Sequence, residues 1–269
     1  MNTPGKSRLG HSRRVALVSI LATGCLSVGA QTWPPSPSVP DAPQPREQVT
    51  LGETPMNLLK DQGAIWSSPA RIRDKDLRYL VPLGLVVAVT ITTDHQAMSD
   101  VVSRNTSFNN TNTNASNVLI SPFIAAPAVM YVAGHLGDSD HARETGILGG
   151  EAMLDGLVVE QGMKLMFWRE RPAVDSAKGK FFQTSVGTDS SFPSSHSVVA
   201  WSSAAVLAEE YPSRLNQLAI YGVATGVSLT RVLGQQHFPT DVLVGSAFGW
   251  MVGHYVYKKH HRWHNPISR

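Results

Sequence analysis

Apolar positions along the chain gather into long runs separated by polar breaks. The runs cover residues 80–93, 118–136, 145–168, 197–207, 215–232 and 242–257. They are rich in Ala, Leu, Val and Met, and the strict alternation of a half-buried strand is scarce. That pattern predicts an all-α fold, a bundle of about six core helices. Residues 103–117 are rich in Asn, Thr and Ser and read as a polar loop between two helices. No internal repeat is evident.

Crossing a bilayer takes about 20 predominantly apolar residues. The first run is closed by Asp94 after 14 residues. Residues 118–136 include Ser121, Pro122 and Pro127; residues 145–168 carry Glu151, Asp155 and Glu160; residues 242–257 contain His254. These interruptions predict helices buried in a protein core rather than in lipid, with two or three spanning helices, tilted or paired, as the alternative.

Residues 1–14 are polar and basic, residues 15–22 are mostly apolar, and Val28-Gly29-Ala30 offers compact residues to a signal peptidase. This is the pattern of a secretory signal peptide over residues 1–30, with cleavage expected after Ala30. A single amino-terminal anchor helix is the alternative. The expected location is exported, periplasmic or otherwise extracytoplasmic, with membrane association left open. The sole cysteine, Cys25, sits in this leader after Leu21-Ala22-Thr23-Gly24, a loose likeness of a lipoprotein processing box. Cleavage after Ala30 leaves a body without disulfide, zinc-thiolate or thiol-nucleophile chemistry. Six of the 17 prolines fall between Pro34 and Pro45, so residues 31–50 read as an extended linker and residues 51–269 as the domain.

Composition sharpens this picture. Of the 269 residues, 42% are hydrophobic and 16% charged, enough to bury a core and exclude wholesale disorder. The formal charge is +3, but residues 1–30 hold four cations and no acid. The remaining body has a net charge of −1, so a nucleic-acid footprint is not supported.

Three clusters carry candidate chemistry. Lys164 and Arg171-Pro172 lie in KLMFWRERP, seven residues and two helical turns apart, so an unbroken helix would put both cations on one face. A guanidinium fork and an ammonium both suit phosphate oxygens. Pro193-Ser194-Ser195-His196 reads as a turn into a helix whose first N–H groups favour an anion. Thr230-Arg231, His237 and Asp241 lie in TRVLGQQHFPTD. A carboxylate on one ring nitrogen of His237 would fix its tautomer and leave the other as nucleophile or base. Taken singly, each cluster also has an ordinary reading: a solvated pair, a serine helix cap, a local salt bridge.

Together, in this order and spacing, the clusters resemble the type 2 phosphatidic acid phosphatase (PAP2) superfamily. It includes class A acid phosphatases, lipid phosphate phosphatases and vanadium haloperoxidases. Nine of the eleven residues in its pattern K-x6-R-P, P-S-G-H and S-R-x5-H-x3-D are present; Ser195 replaces the glycine and Thr230 the serine. The resemblance implies that Lys164, Arg171 and Arg231 clamp phosphate oxygens, with Ser194 and the Ser195 N–H completing the cradle. It implies that His237, oriented by Asp241, forms a phosphohistidine. It also implies that His196 protonates the leaving oxygen and then activates water. The implied enzyme is an exported phosphatase of phosphate monoesters, lipid or small and soluble, needing no metal or other cofactor.

A vanadate-dependent haloperoxidase is one alternative, although family members with that activity are usually much longer. A non-catalytic phosphate-binding protein is another. Ser195 could add a hydrogen bond to the anion, or crowd the site if its position demands positive φ. Arg169, Glu170, Arg143 and Glu144 read as ion pairs on helix surfaces or behind the site. His254, His260, His261 and His264 read as part of a solvated or membrane-surface basic end, with metal binding there as the alternative.

Overall fold

The computed structural model describes residues 48–262. The signal peptide over residues 1–30 and most of the 31–50 linker lie outside the described residues, as does His264. Every regular element among the described residues is helical. Seven α-helices follow one another: α1 (Thr54–Trp66), α2 (Asp74–Gln96), α3 (Thr106–Leu136), α4 (Asp140–Phe167), α5 (Ser195–Glu210), α6 (Arg214–Leu233) and α7 (Pro239–His260). The six apolar runs fall on α2 to α7.

The helix the runs did not predict is α1. Its inner face is polar: Asn57 donates to Glu151 at 3.2 Å and Gln62 to Asp155 at 2.7 Å, both on α4. Asp61 is fully buried and takes bonds from Lys259 at 2.8 Å and Tyr255 at 3.1 Å on α7. A helix that docks through carboxylates and amides leaves little apolar periodicity to read. The same contacts bury Glu151 and Asp155 inside the bundle, as expected for a core helix that carries acids.

The core surrounds α5, whose Val199, Ala200 and Ala204 meet Ile120 and Phe123 of α3 and Ala224 and Val227 of α6. On its other side Val206 joins Ile147, Leu148 and Ala152 of α4 and Val252 and Val256 of α7. Close approach of α5 and α7 depends on Gly245, Gly249 and Gly253, one helical turn apart. A methyl built on Gly249 would sit 2.5 Å from the Val198 carbonyl oxygen, so any larger residue would push the helices apart.

Two sequence expectations are corrected. Residues 103–117 are not a loop: Asn105 caps α3 by accepting from the Phe108 N–H at 3.1 Å, and the helix runs through the Asn/Thr stretch. Most of those polar residues lie on the exposed face of the helix, while Ser116 is fully buried. The helices over 80–93 and 118–136 are not buried core helices either. α2 with its π-helical extension to Val101 spans 28 residues, and its most apolar window is 0% buried; the corresponding window of the 31-residue α3 is 17% buried. Val81, Leu85, Val86 and Val89 on α2 are exposed, as are Val118, Val129 and Val132 on α3. Both helices are long and apolar enough to cross a membrane. Asp94 does not end the apolar helix; it turns inward, where a buried arginine meets it.

Candidate active site

The site gathers at one end of the bundle, where α4 finishes and α5 and α7 begin. α4 stops at Phe167 because Trp168 takes a left-handed conformation (φ 38°). The segment that follows pairs through its backbone: Phe182 N–H donates to Phe167 C=O at 2.8 Å and Ser191 N–H to Arg169 C=O at 2.8 Å. Lys164 and Arg171 therefore do not share an unbroken helix face. The helix delivers Lys164, and the turned segment delivers Arg171. Lys164 is 5% exposed and pairs with Glu160 at 3.1 Å. Arg171 donates to the Gln236 carbonyl at 3.1 Å and to the exposed carboxylate of Asp189 at 2.8 Å.

Ser194 is the N-cap of α5, and its buried hydroxyl has no hydrogen-bond partner. Arg231, near the end of α6, likewise has a buried and unpartnered Nε. A buried donor without an acceptor costs about 1–3 kcal/mol, so both atoms would gain from an incoming acceptor. The first N–H groups of α5 have no intrahelical acceptor and add positive character there.

Ser195 is the first helical residue of α5 and lies outside the positive-φ region, so replacing glycine costs no backbone strain. Its hydroxyl does not stand among the unpartnered donors. It donates to Glu160 Oε1 at 2.6 Å, the same oxygen that Lys164 meets. The side chain thus supports the Glu160–Lys164 pair.

His237 is 2% exposed. Its Nδ1 lies 2.8 Å from the Ser191 carbonyl oxygen, which can only accept, so Nδ1 carries the proton and Nε2 keeps a free lone pair. Asp241 stands 3.7 Å from Nδ1, too far for a hydrogen bond. The tautomer expected from Asp241 is present, but the Ser191 carbonyl fixes it. Asp241 holds the surrounding segment instead. It accepts from the Phe238 N–H at 2.8 Å, from the Ser191 hydroxyl, and from Arg169 at 2.6 Å.

Arg169 is the residue sequence reasoning undervalued. It is 2% exposed, lies 4.6 Å over Phe181 and 4.1 Å over Phe238, and also donates to Asp94 on α2 at 2.7 Å. Gly179, at φ +58°, passes over it and accepts from its Nε at 3.3 Å; a methyl there would meet Phe238 at 2.5 Å. Asp94 in turn accepts from the Thr240 N–H at 3.0 Å. One guanidinium thus locks α2, α7 and the 167–191 segment around His237. Its place inside the Lys164–Pro172 stretch, two residues before Arg171, gave the one available hint.

His196 is half-buried, and its Nε2 meets Asn117 Oδ1 of α3 at 3.0 Å. Burial, and then the charges of Arg231, His237, Arg171 and Lys164, pull its pKa from 6.5 down to about 4. Burial also lowers His237 to about 4, against the opposing pull of Asp241. Arg231 is lowered to about 10 by burial and by Arg171. The three cations expected to clamp one anion therefore act together on one imidazole. The structure brings Lys164, Arg171, Ser194, His196, Arg231, His237 and Asp241 to one end of the bundle, with Ser195 beside them facing Glu160.

The chain is similar to known proteins, and the family match covers this end of the molecule. Residues 146–265 match the family described as the PAP2 superfamily. A lipid A 1-phosphatase from Porphyromonas gingivalis is 31% identical over 110 residues, which is 40% of this chain and 22% of that protein. The match thus spans about a fifth of that relative's length. A transmembrane PAP2-type phosphatidylglycerolphosphate phosphatase from Bacillus subtilis is similar over 79% of this chain and 98% of its own. Its identity is 18% and its TM-score 0.45.

Proposed function

From the premise that residues 146–265 form a PAP2-superfamily domain, we propose that the protein hydrolyses phosphate monoesters through a phosphohistidine on His237. One observation carries this reading: Nδ1 of His237 is committed to a carbonyl at 2.8 Å, which leaves Nε2 as a neutral nucleophile. Around it, Lys164, Arg171 and Arg231 neutralise the non-bridging oxygens, and Ser194 Oγ and Arg231 Nε gain the acceptor they lack.

Nε2 attacks phosphorus as the bond to the leaving oxygen breaks, and His196 gives that oxygen its proton. His196 then takes a proton from water, whose oxygen attacks phosphorus. The P–N bond breaks and inorganic phosphate leaves. Phosphoryl transfer needs alignment and charge neutralisation above all, and three fixed cations supply both without a metal ion.

The substrate we favour is a lipid phosphate met at a membrane surface outside the cytoplasm. The two exposed apolar helices reach the site directly: Asp94 of α2 holds Arg169, and Asn117 of α3 holds His196. Helices that would contact lipid therefore flank the phosphate end of the bundle.

The test is phosphate release by the full chain from phosphatidate vesicles, isoprenoid pyrophosphates and a soluble aryl phosphate, with His237→Ala alongside. The expected result is turnover of lipid phosphate that falls at least about a thousandfold in His237→Ala. Equal turnover by the variant would refute the assignment.

A further inference from the structure

At the opposite end of the bundle, the first turns of α4, the last residue of α5 and the residue after α7 bring together a second set of polar groups. Nδ1 of His261 lies 3.0 Å from Glu144 Oε1 and 3.1 Å from Glu210 Oε1. All three donor atoms fall within 4.8 Å of one another, and both carboxylates are buried at 5% exposure. Glu210 turns its other oxygen to Nε2 of His141 at 3.0 Å, and Glu144 accepts from the Arg262 N–H at 2.6 Å. Tyr257 stacks on the His261 ring at 4.5 Å and Tyr211 lies 4.8 Å from His141. α5 is 16 residues long, so this cluster stands about 24 Å from the phosphate end.

We propose that Glu144, Glu210 and His261 form a three-ligand site for a divalent transition ion of the zinc type, with water as the fourth ligand. The donor set is one imidazole and two carboxylates, a mixture that suits zinc. Bonds of about 2.0–2.2 Å in tetrahedral geometry place ligand atoms about 3.3 Å apart. The His261–Glu144 and His261–Glu210 spacings need to open by a few tenths of an ångström, and the two carboxylate oxygens, within 4.8 Å, need to close on the ion. His141 and the Arg262 N–H fix the orientation of the two carboxylates, as supporting hydrogen bonds do around metal ligands.

A second feature favours a cation independently of the side chains. α5 ends at Glu210 and α7 at His260, so the carboxyl ends of two helices, where unsatisfied carbonyls and the negative dipole pole lie, converge on this point. A divalent ion would neutralise two buried carboxylates and staple three helix ends, holding from behind the helices whose other ends carry Lys164, Ser194 and Asp241. The His-rich end thus departs from the expected solvated tail: His260 is buried against Asp61 at 2.7 Å, and His261 is drawn into this cluster.

The test uses the full chain without a polyhistidine tag, stripped with chelator and titrated with zinc chloride. Metal content is read after gel filtration, and thermal unfolding with and without zinc. The expected result is about one zinc per chain and a raised Tm, with magnesium ineffective. His261→Ala and Glu144→Gln should lose the ion, and His141→Ala should weaken binding about 10–100-fold. His254→Ala, whose ring pairs with Glu209 at 2.8 Å, should bind zinc as the wild type does. Circular dichroism identifies a variant that fails to fold, and the other replaces it. A stripped wild type that takes up no zinc, or folded His261→Ala or Glu144→Gln binding as tightly as wild type, would overturn the proposal and leave an ion-pair cluster. Neither result bears on phosphate turnover, which is read separately.

Discussion

Arg169 donates to Asp241 at 2.6 Å, and this ion pair, buried on both sides, anchors the segment that carries His237. The guanidinium simultaneously meets Asp94 at 2.7 Å. Removing it would leave two buried carboxylates facing each other with no cation between them. Breaking one partner of such a pair costs about 3–5 kcal/mol. Arg169→Ala should therefore unfold at markedly lower temperature than wild type, and any folded fraction should be inactive. Arg169→Lys should recover part of the stability, because it restores charge without the planar fork. Thermal unfolding of the three proteins checks this; an unchanged Tm in Arg169→Ala would mean the ion pair does not organise the site.

Ser195 separates two roles that a serine in place of glycine could play. Its hydroxyl donates to Glu160 at 2.6 Å, so Ser195→Gly removes one part-buried bond to a carboxylate, worth about 1–3 kcal/mol. Its effect on kcat/KM should be less than about tenfold, mainly through Lys164 and hence KM. A loss as deep as that of His237→Ala would place the hydroxyl on the phosphate itself. Steady-state kinetics on both variants decides.

The paired depression of His196 and His237 to about 4 fixes the expected pH behaviour. In the free protein the required form has His237 neutral and His196 protonated, so kcat/KM should peak near pH 4 and fall as pH rises. Bound phosphate offsets the three cations that depress His196. The alkaline limb of kcat should accordingly lie at higher pH than that of kcat/KM. Coincident limbs would contradict the assignment of His196 as acid.

The same shifts set a stability trend. Both folded pKa values lie below the ordinary 6.5, so between about pH 4 and 6.5 the unfolded chain binds more protons than the folded one. Stability is full above that window and declines as pH falls through it. Denaturant unfolding across this range should show the decline, and His237→Asn should flatten it.

Much of the site was legible because its chemistry needs fixed residue types at fixed spacing: nine of eleven pattern residues named the end of the bundle where the cations meet. What supports them was not. Ser191 orients His237 through a backbone carbonyl, which any residue could supply. Asp94, Asn117 and Glu160 act from 75, 79 and 35 residues away from their partners Arg169, His196 and Ser195, separations that carry no local pattern. The helical runs were legible from apolar clustering, while α1 was hidden by its polar inner face. The same hydropathy misjudged α2 and α3, because counting charges inside a run does not show which way Asp94 or the Asn-rich turns face.

The most direct measurement is intact-protein mass spectrometry after rapid mixing with a phosphate ester and alkaline quench, which preserves a P–N bond. The account predicts a transient mass increase of one phosphoryl group in wild type. It should accumulate further in His196→Ala, which cannot activate water, when the ester has a leaving group good enough to need no acid. It should be absent in His237→Ala. Turnover by wild type with the phosphoryl group found on another residue, or an adduct that persists in His237→Ala, would contradict it.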